Sequence, residues 1–310
     1  MGMELPALAS WAWIPIVVGA AFMQTIRNAA QRSLVTDLGT LAATLVRFLY
    51  GLPFALLWLL LVVGFSGARA VSWPDFSPAY LAWLAGGAIS QLAATALLLA
   101  AMKQRNFIVG VTFSKTEVLQ VGLFGVVALQ ELPTVAAAIA MVVATLGVVL
   151  LSLPREPGAA LANWRGNAAW FGLASGACFA LASVGYRGAA LQWPGVSAWL
   201  VGALGVLLAQ LLQTVLLGGW LWLRQPGIMA AIGRAWRLST VAGAMGAMAS
   251  IGWMTATALR PAVDVRTLGL VEVLFSYLVS RRLFREKISR KELAGLLLVG
   301  AGVLVISAQW

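Results

Sequence analysis

The sequence predicts an all-α integral membrane protein, with ten transmembrane helices in two inverted five-helix repeats. Its apolar content, the spacing of its apolar runs and a similarity between its halves predict this class. Of 310 residues, 61% are hydrophobic and only 10% are charged, whereas soluble domains carry about 25% charged residues. Because a membrane-crossing helix takes about 20 apolar residues, this content matches about ten crossings. It excludes a water-soluble enzyme, a nucleic-acid-binding domain and a disordered chain.

Apolar runs of about 20 residues follow one another along the chain, bounded by charges, prolines or interfacial aromatic residues. Their connections are short, so no domain is expected outside the membrane. The first run has no basic leader and no small-residue cleavage site after it, so we expect a retained span and not a signal peptide. The predicted spans are 12–33, 39–65, 79–102, 106–129, 134–153, 167–190, 196–223, 238–259, 262–284 and 290–308.

Basic residues are concentrated in the loops that follow odd-numbered spans. The positive-inside rule therefore puts these loops in the cytoplasm and both termini outside. The net charge of +11 is thus mostly an orientation signal, and we expect no nucleic-acid partner. The even-numbered loops carry little beyond Arg69 and Arg260, whereas the odd-numbered ones carry Arg32, Lys103, Arg105, Arg155, Arg165, Arg224, Arg234, Arg237, Arg281, Arg282, Arg285, Lys287, Arg290 and Lys291.

The two halves of the chain resemble each other at a shift of 155 residues. The charged coincidences carry the argument, because the chain has only seven glutamates: Arg105 aligns with Arg260, Glu117 with Glu272 and Glu131 with Glu286. Five spans per half is an odd number, so the second half enters the membrane inverted. Inverted repeats are typical of secondary transporters, with the substrate site near the midplane between the halves. The alternative is a structural duplication without a transport role.

The division that follows from this repeat is 1–153 for the first five-helix repeat, 154–166 for a cytoplasmic linker and 167–310 for the second repeat. A metal site, a cofactor and a catalytic centre are not expected. Cys178 is the one cysteine and histidine is absent, which excludes a disulfide framework, the usual zinc sites and histidine catalysis. An integral-membrane enzyme acting on lipids is disfavoured, since we find no Ser/Lys dyad and no paired carboxylates at metal-binding spacing.

Motifs late in each half resemble the drug/metabolite transporter superfamily, specifically its EamA-type members. They comprise a mid-helix glutamate, a loop glutamate after a short helix and a glycine-rich final helix. The second half reads Ala258-Leu-Arg-Pro-Ala262, Leu270-Val-Glu-Val-Leu274, Arg285-Glu286 and a run from Gly295 to Gly302, and the first half repeats this more weakly around Glu117, Glu131 and Gly147. The sequence departs from the family with Val118 and Val273 where proline is common, and with Gln130 and Arg285 where glycine is common.

The resemblance implies a ten-span secondary transporter of the bacterial inner membrane that has a small-molecule substrate and needs no cofactor. Family members carry amino acids, other metabolites, sugar nucleotides and phosphorylated compounds, so the fold does not name the substrate.

Charged side chains inside the membrane cost about 2.5–3.5 kcal/mol each on insertion scales, so each is a candidate site residue. Glu117 and Glu272 lie near the centres of spans 4 and 9. They either line the cavity and bind a cation or a proton, or pair with a nearby Arg or Lys and hold helices together. If protons drive transport, a carboxylate is the coupling group, because the chain has no histidine.

Span 1 carries a polar stripe of Gln24, Arg27, Asn28 and Gln31, which share one helical face. A stripe this polar cannot face lipid. It either lines a cytoplasmic vestibule in which Arg27 attracts an anion, or Arg27 reaches the membrane surface.

Further bases lie within the spans: Arg47 in span 2, Lys115 in span 4, and Arg187 and Arg266 near the outer ends of spans 6 and 9. We expect Lys115 to point to a different face from Glu117, two residues away. These bases, with Arg27, outnumber the acids Glu117, Asp264 and Glu272 by five to three. The excess favours an anionic or zwitterionic substrate, since guanidinium groups bind carboxylates and phosphates in a bidentate manner.

Gln91 in span 3 is a midplane polar residue, and Trp253 and Tyr277 could line a pocket for an apolar group or pack in the core. The predicted function is transport of a small polar metabolite by alternating access. Two alternatives remain: export of cationic or drug-like compounds through Glu117 and Glu272, and a lipid flippase of the same superfamily.

Overall fold

The computed structural model describes residues 11–66, 74–103, 113–151, 167–275, 277 and 290–309. Within these residues the protein is helical and has no strand. The helices are α1 Trp13–Leu49, α2 Leu52–Ser66, α3 Pro78–Lys103, α4 Glu117–Leu129, α5 Val135–Leu151, α6 Asn167–Leu191, α7 Ala198–Gln213, α8 Gly219–Arg224, α9 Ile228–Arg234, α10 Trp236–Leu259, α11 Ala262–Gly269 and α12 Arg290–Ser307. A π-helical turn, Thr214–Gly218, joins α7 to α8.

Four helical stretches are long and apolar enough to cross a membrane: Thr40–Ser66, Pro78–Lys103, Asn167–Leu191 and Ala198–Arg224. They coincide with the predicted spans 39–65, 79–102, 167–190 and 196–223. Large apolar side chains such as Leu60, Leu123 and Leu297 are exposed on the exterior, whereas Arg27 and Arg47 are buried. This distribution is the reverse of that in a soluble protein and is compatible with a lipid-facing exterior.

The predicted connection at 34–38 is wrong, because α1 stays helical through these residues and kinks at Gly39 instead. Gly39 has φ 78° and ψ 171°, a backbone conformation that is essentially restricted to glycine. Gln31 on one side of the kink donates from Nε2 to the carbonyl of Ala43 on the other, at 2.9 Å. The kink therefore directs the chain back along the bundle without an intervening loop.

Replacing Gly39 with alanine is expected to destabilise the folded protein by about 1–3 kcal/mol, because a Cβ is strained at this φ and ψ. A Cβ at Gly39 would meet no other atom within 4 Å, so the cost is one of backbone conformation alone. Gly19→Ala in the same helix, which also meets nothing within 4 Å, is the control. Thermal unfolding in detergent measures both. Equal unfolding temperatures for the two variants would contradict this explanation of the kink.

The backbone tightens at related positions in the described parts of the predicted spans 106–129 and 262–284. In the first, Thr116 N bonds to Phe113 O and Leu119 N to Thr116 O. In the second, Leu270 N bonds to Thr267 O and Val273 N to Leu270 O. These bonds span three residues instead of four, as in a 3₁₀ turn, which in mid-helix often marks a functional hinge. Corresponding residues lie 154 positions apart, and the tightened turns flank Glu117 and Glu272.

Three helix pairs form the most extensive contacts: α1 with α10, α3 with α6, and α5 with α12. Glycines bring the backbones together. A Cβ at Gly185 of α6 would lie 2.8 Å from the Cα of Gly87 of α3, and one at Gly147 of α5 would lie 2.7 Å from the carbonyl oxygen of Gly295 of α12. Small residues at helix crossings are the usual means of close packing in membranes.

Candidate functional site

The polar stripe of α1 lies in the interior of the bundle. Gln24, Arg27 and Gln31 are buried, and Arg27 is only 1% exposed, so its side chain does not reach the surface. The Arg27 guanidinium donates from Nε and Nη2 to the side-chain oxygen of Asn28, at 3.2 and 2.6 Å. Nη1 lies 3.5 Å from the side-chain oxygen of Gln24. All these acceptors are neutral, so they satisfy the hydrogen bonds of Arg27 but not its charge.

The stripe belongs to a group of buried polar residues that we call the interior cluster, whose charged members are Arg27, Arg47, Lys115, Glu117, Arg266 and Glu272. Glu272 is the hydrogen-bond acceptor at its centre. It is 3% exposed and accepts hydrogen bonds from Gln24 Nε2 at 2.6 Å, Asn28 Nδ2 at 2.9 Å and Lys115 Nζ at 2.5 Å. Lys115 is the ion-pair partner of Glu272. Because three donors, one of them the cation Lys115, already surround this carboxylate, it holds together α1, the segment that leads into α4 and the helical segment after α11.

Glu117 pairs with a different cation, Arg266 of α11, at 3.6 Å. Arg266 also donates from Nε to Ser183 Oγ at 2.7 Å, and its guanidinium stacks 4.7 Å from the ring of Trp253. Trp253 in turn donates from Nε1 to Gln24 at 3.0 Å. Arg266 was expected near an outer helix end, but it belongs to the interior cluster.

Arg47 is 1% exposed and is held by two hydroxyl groups. Nη1 donates to Thr95 Oγ1 at 2.8 Å, and Nη2 to Ser250 Oγ at 3.3 Å. Its Nε has no partner in the described structure, and no described carboxylate forms an ion pair with Arg47 or Arg27. A Cβ at Gly246 would lie 3.0 Å from Arg47 Cγ and 3.3 Å from Arg27 Cδ. The two arginines therefore approach each other across the same point of α10.

Gln91 lies in a buried hydrogen-bond network beside this cluster. Its side-chain oxygen accepts from Tyr186 Oη and from Gln213 Nε2, both at 3.0 Å. Gln213 also donates to the carbonyl of Ala88 at 2.8 Å. The network connects α3, α6 and α7 in the same layer as Arg47, whose partner Thr95 is one turn away on α3 and itself donates to the Gln91 carbonyl at 2.9 Å.

Two small cavities lie on either side of Arg266. The first, of about 20 Å³, is lined by Lys115, Glu117, Glu272, Asn28 and Met102 among others. The second, of about 10 Å³, is lined by residues that include Gln91, Ser250, Trp253 and Thr257. Each has room for about one water molecule. Lys115 and Glu117 both line the first cavity, so the expectation that they serve different faces is wrong; the tightened turn at Thr116 brings both to it.

A larger recess of about 400 Å³ lies at the α1 kink, and we call it the vestibule. Arg32, Gly39, Leu99, Met102 and Lys103 are among its lining residues. Met102 also lines the first cavity, so the vestibule and the interior cluster adjoin each other at this side chain.

The opposite end of the bundle is closed by an arrangement we call the clasp. Arg187 of α6 donates from Nη2 and Nε to Glu131 Oε1, at 2.7 and 2.9 Å, and from Nη1 to the carbonyls of Thr257 and Ala258 of α10, at 2.9 and 3.3 Å. Glu131 directly follows Gln130, whose left-handed backbone (φ 58°) ends α4. The clasp thus connects three elements above the second cavity.

Glu131→Gln is expected to loosen the clasp and expose the second cavity. The pair is 12% and 21% exposed, and partly exposed ion pairs contribute about 0.5–1 kcal/mol, which corresponds to a roughly two- to fivefold higher open population. In a Cys178→Ser background, a Thr257→Cys side chain should react faster with a membrane-impermeant maleimide when Glu131→Gln is added. Met102→Cys, at the vestibule, is the control. An unchanged rate at position 257 would contradict the clasp.

The structure brings together ten of the residues singled out from the sequence, while Gln31 bonds to Ala43 and Arg187 belongs to the clasp. The ten are Gln24, Arg27, Asn28, Arg47, Gln91, Lys115, Glu117, Trp253, Arg266 and Glu272. Tyr277 lies elsewhere, and its hydroxyl donates to Glu292 of α12 at 3.4 Å. The sequence did not single out six residues of the cluster, and it marked Glu131 of the clasp only as part of the repeat. The six are Thr95, Ser183, Tyr186, Gln213, Gly246 and Ser250. A hydroxyl or a glycine in an apolar helix carries no pattern that would have identified it.

Comparison with known proteins gives a fold and no activity. No protein-family model and no curated protein matches the chain. Solved structures are similar. One of them, a crystal structure of a protein, aligns over 97% of this chain and 99% of its own at a TM-score of 0.67 and 16% sequence identity. The chain therefore shares its overall fold with a protein of similar length.

Proposed function

We propose that the protein is a ten-span secondary transporter of the bacterial inner membrane, of the drug/metabolite transporter superfamily and EamA-type. It moves a small anionic or zwitterionic metabolite by alternating access. The helix contacts support two inverted repeats. In two equivalent halves, α1 of the first half corresponds to α6 of the second, and α3 corresponds to α10. The contact between α1 and α10 then has the contact between α6 and α3 as its symmetry equivalent, and both contacts are extensive. The two tightened turns, 154 residues apart, fit the same relationship.

The observation that carries the substrate class is a pair of buried arginines without an acidic partner. Arg27 and Arg47 approach each other at Gly246 and contact only neutral acceptors among the described residues. An uncompensated charge in a low-dielectric interior is costly. A substrate carboxylate or phosphate that binds there removes this cost, so the charges of the cluster favour anion binding.

Alternating access fits the asymmetry between the two ends of the bundle. The vestibule adjoins the interior cluster at one end, and the clasp closes the other. With the odd-numbered loops in the cytoplasm and both termini outside, the vestibule opens to the cytoplasm and the clasp faces outward. In this conformation the substrate exchanges with the cytoplasm, and release of Arg187 from Glu131 is a step in opening to the outside.

Export of cationic compounds through Glu117 and Glu272 is the second candidate, and the ion pairs weigh against it. Each carboxylate already has a cationic partner, Arg266 and Lys115 respectively. A cationic substrate would have to displace that partner and leave a further buried cation unpaired. If protons drive transport, Glu272 is the coupling group, since its protonation would release Lys115.

A lipid flippase needs Arg27 at a lateral opening toward the bilayer. Arg27 is instead 1% exposed and surrounded by Gln24 and Asn28, which favours a solute inside the bundle. For a membrane enzyme, no group of three potential metal ligands occurs in the part of the chain that the structure describes, and the interior acids are engaged in ion pairs.

Ligand-dependent thermal unfolding of the purified protein tests the proposed function, because a bound ligand stabilises the folded state. The panel contains acetate, glycine, sulfate and glycerol phosphate, with tetraphenylphosphonium as the lipophilic cation. We expect stabilisation by at least one of the first four and none by tetraphenylphosphonium. Proteoliposomes should then accumulate the stabilising compound, with and without a proton gradient as a test of coupling. Stabilisation by the cation alone, or no accumulation of any stabilising compound, would overturn the proposal.

A further inference from the structure

The charges inside the protein fall into two groups with different balances. Near the clasp, Arg187 and Arg260 face Glu131 and Asp264, so the described charges there cancel. The interior cluster contains four cations and two carboxylates: Arg27, Arg47, Lys115 and Arg266 against Glu117 and Glu272. Among the described residues, two positive charges of the cluster are therefore in excess, and the cations without an ion-pair partner are Arg27 and Arg47.

We propose that the substrate presents a dianionic group, such as a phosphate monoester, to Arg27 and Arg47 together. The inference rests on the proposed transport function and narrows its substrate class. A dianion would bring the interior cluster to neutrality, whereas a monoanion would leave one buried guanidinium uncompensated, and an amino-acid zwitterion would leave two. Two arginines whose stems meet at Gly246 also offer enough donors for the several acceptor oxygens of a tetrahedral anion.

Asn28 occupies the position that a ligand oxygen would take at Arg27. Its side-chain oxygen accepts from both Nε and Nη2 of Arg27, a pair of donors that guanidinium groups also use for bidentate binding of anions. A charged oxygen forms a stronger bond with these donors than an amide oxygen does. The substrate group therefore replaces Asn28 at Arg27 without any change in the arginine itself.

Arg47 offers the second half of this site. Two of its nitrogens bond to the hydroxyls of Thr95 and Ser250, and Nε is buried without a partner. Gly246 allows both arginine stems to approach α10 at the same point, where a side chain would press on Arg47 Cγ at 3.0 Å. The space beside Gly246 is taken by the two arginine stems, so the partnerless Nε of Arg47 is the donor that remains for an incoming oxygen.

Release of Asn28 would also affect the ion pair beside it. Asn28 donates from Nδ2 to Glu272 Oε1 at 2.9 Å, while Lys115 bonds to Oε2 of the same carboxylate. When a ligand displaces Asn28 from Arg27, one of the three hydrogen bonds that hold Glu272 is free to rearrange. Substrate binding at the arginines is thereby connected to the contact between α1 and the region of α4.

The test compares anions of similar shape and different charge by calorimetry and thermal unfolding of the detergent-purified protein. Sulfate, a dianion, is matched with methanesulfonate, a monoanion. We expect sulfate to bind at least about tenfold more tightly, the ratio that one additional charge-assisted hydrogen bond can supply. Glycerol phosphate should bind more tightly at pH 7 than at pH 5, because the second pKa of a phosphate monoester is about 6, whereas sulfate should show no such change.

Two variants separate this site from nonspecific attraction. Arg47→Leu should reduce the ratio between sulfate and methanesulfonate to near one, and Arg234→Leu, which removes an exposed charge, should leave the ratio unchanged. Binding of glycerol phosphate is also measured in nanodiscs with and without phosphatidic acid, to distinguish a lipid phosphate from a free one. Phosphatidic acid weakens the binding of glycerol phosphate only if the lipid headgroup enters the site.

Equal affinities for sulfate and methanesulfonate would overturn the dianion inference and leave transport of a monoanion or zwitterion standing. Binding of sulfate with an unchanged ratio in Arg47→Leu would also overturn it. The absence of binding by every anion and zwitterion tested would instead overturn the proposed function itself.

Discussion

Arg47→Leu is expected to reduce stabilisation by a dianion to the level that a monoanion gives, while leaving the ligand-free protein as stable as the wild type, or more stable by about 1–4 kcal/mol. Removal of a buried charge normally leaves its partner unpaired. Here the partners are the hydroxyls of Thr95 and Ser250, which are neutral, so the substitution removes a desolvated charge and strands none. Function and stability should therefore change in opposite directions.

Thermal unfolding with and without glycerol phosphate measures both quantities in one experiment. Arg27→Leu should behave similarly, with a smaller gain in stability because Asn28 loses two hydrogen bonds. Arg234→Leu is the matched control, since Arg234 is exposed. A large destabilisation of ligand-free Arg47→Leu would mean that Arg47 has a structural role. Stabilisation by glycerol phosphate that is as large as in the wild type would mean that Arg47 does not bind it.

Lys115→Met is expected to have the opposite signature, a loss of stability of about 3–5 kcal/mol. Without the ammonium group, Glu272 becomes a buried carboxylate with no direct cationic partner, which is the costly case for a buried ion pair. Glu272 is only 3% exposed, so bulk water cannot solvate the unpaired carboxylate.

The double variant Lys115→Met/Glu272→Gln should recover most of this loss, because a glutamine at 272 needs no counter-charge and can still accept from Gln24 or Asn28. Lys103→Met, at the exposed end of α3, is the control for loss of a lysine. The stabilities of the wild type, of Lys115→Met, of Glu272→Gln and of the double variant, measured by thermal unfolding, give the coupling energy between the two sites. Additive effects of the two substitutions would contradict a direct ion pair.

The positions of the helices could be predicted well from the sequence, because long apolar runs separated by polar or helix-breaking residues carry that information locally. The kink at Gly39 could not. Glycine in an apolar helix is compatible both with continuous helix and with a left-handed residue, and the choice depends on how α1 packs against the rest of the bundle. The tightened turns at Thr116 and Leu270 were missed as well, because they also depend on how the helices pack and not on the local sequence.

The charged members of the interior cluster could be predicted because a charge in an apolar helix is conspicuous, whereas its hydroxyls and the amide of Gln213 were missed. The partners of the charged members could not be predicted. Lys115 and Glu272 are 157 positions apart, and nothing local distinguishes this pairing from Lys115 with Glu117. Glu131 was passed over as a clasp residue because an acid in a short loop is ordinary, and only the three-dimensional structure shows Arg187 opposite it.

The most direct test of the buried anion site is a crystal structure of the protein grown or soaked with selenate, whose selenium is located by anomalous scattering. Selenate is a tetrahedral dianion, like sulfate. We predict an anomalous peak between the guanidinium groups of Arg27 and Arg47, near Gly246, with the side chain of Asn28 turned away from Arg27. A peak confined to exposed arginines such as Arg234 and Arg237, with the interior cluster unchanged, would contradict the proposal.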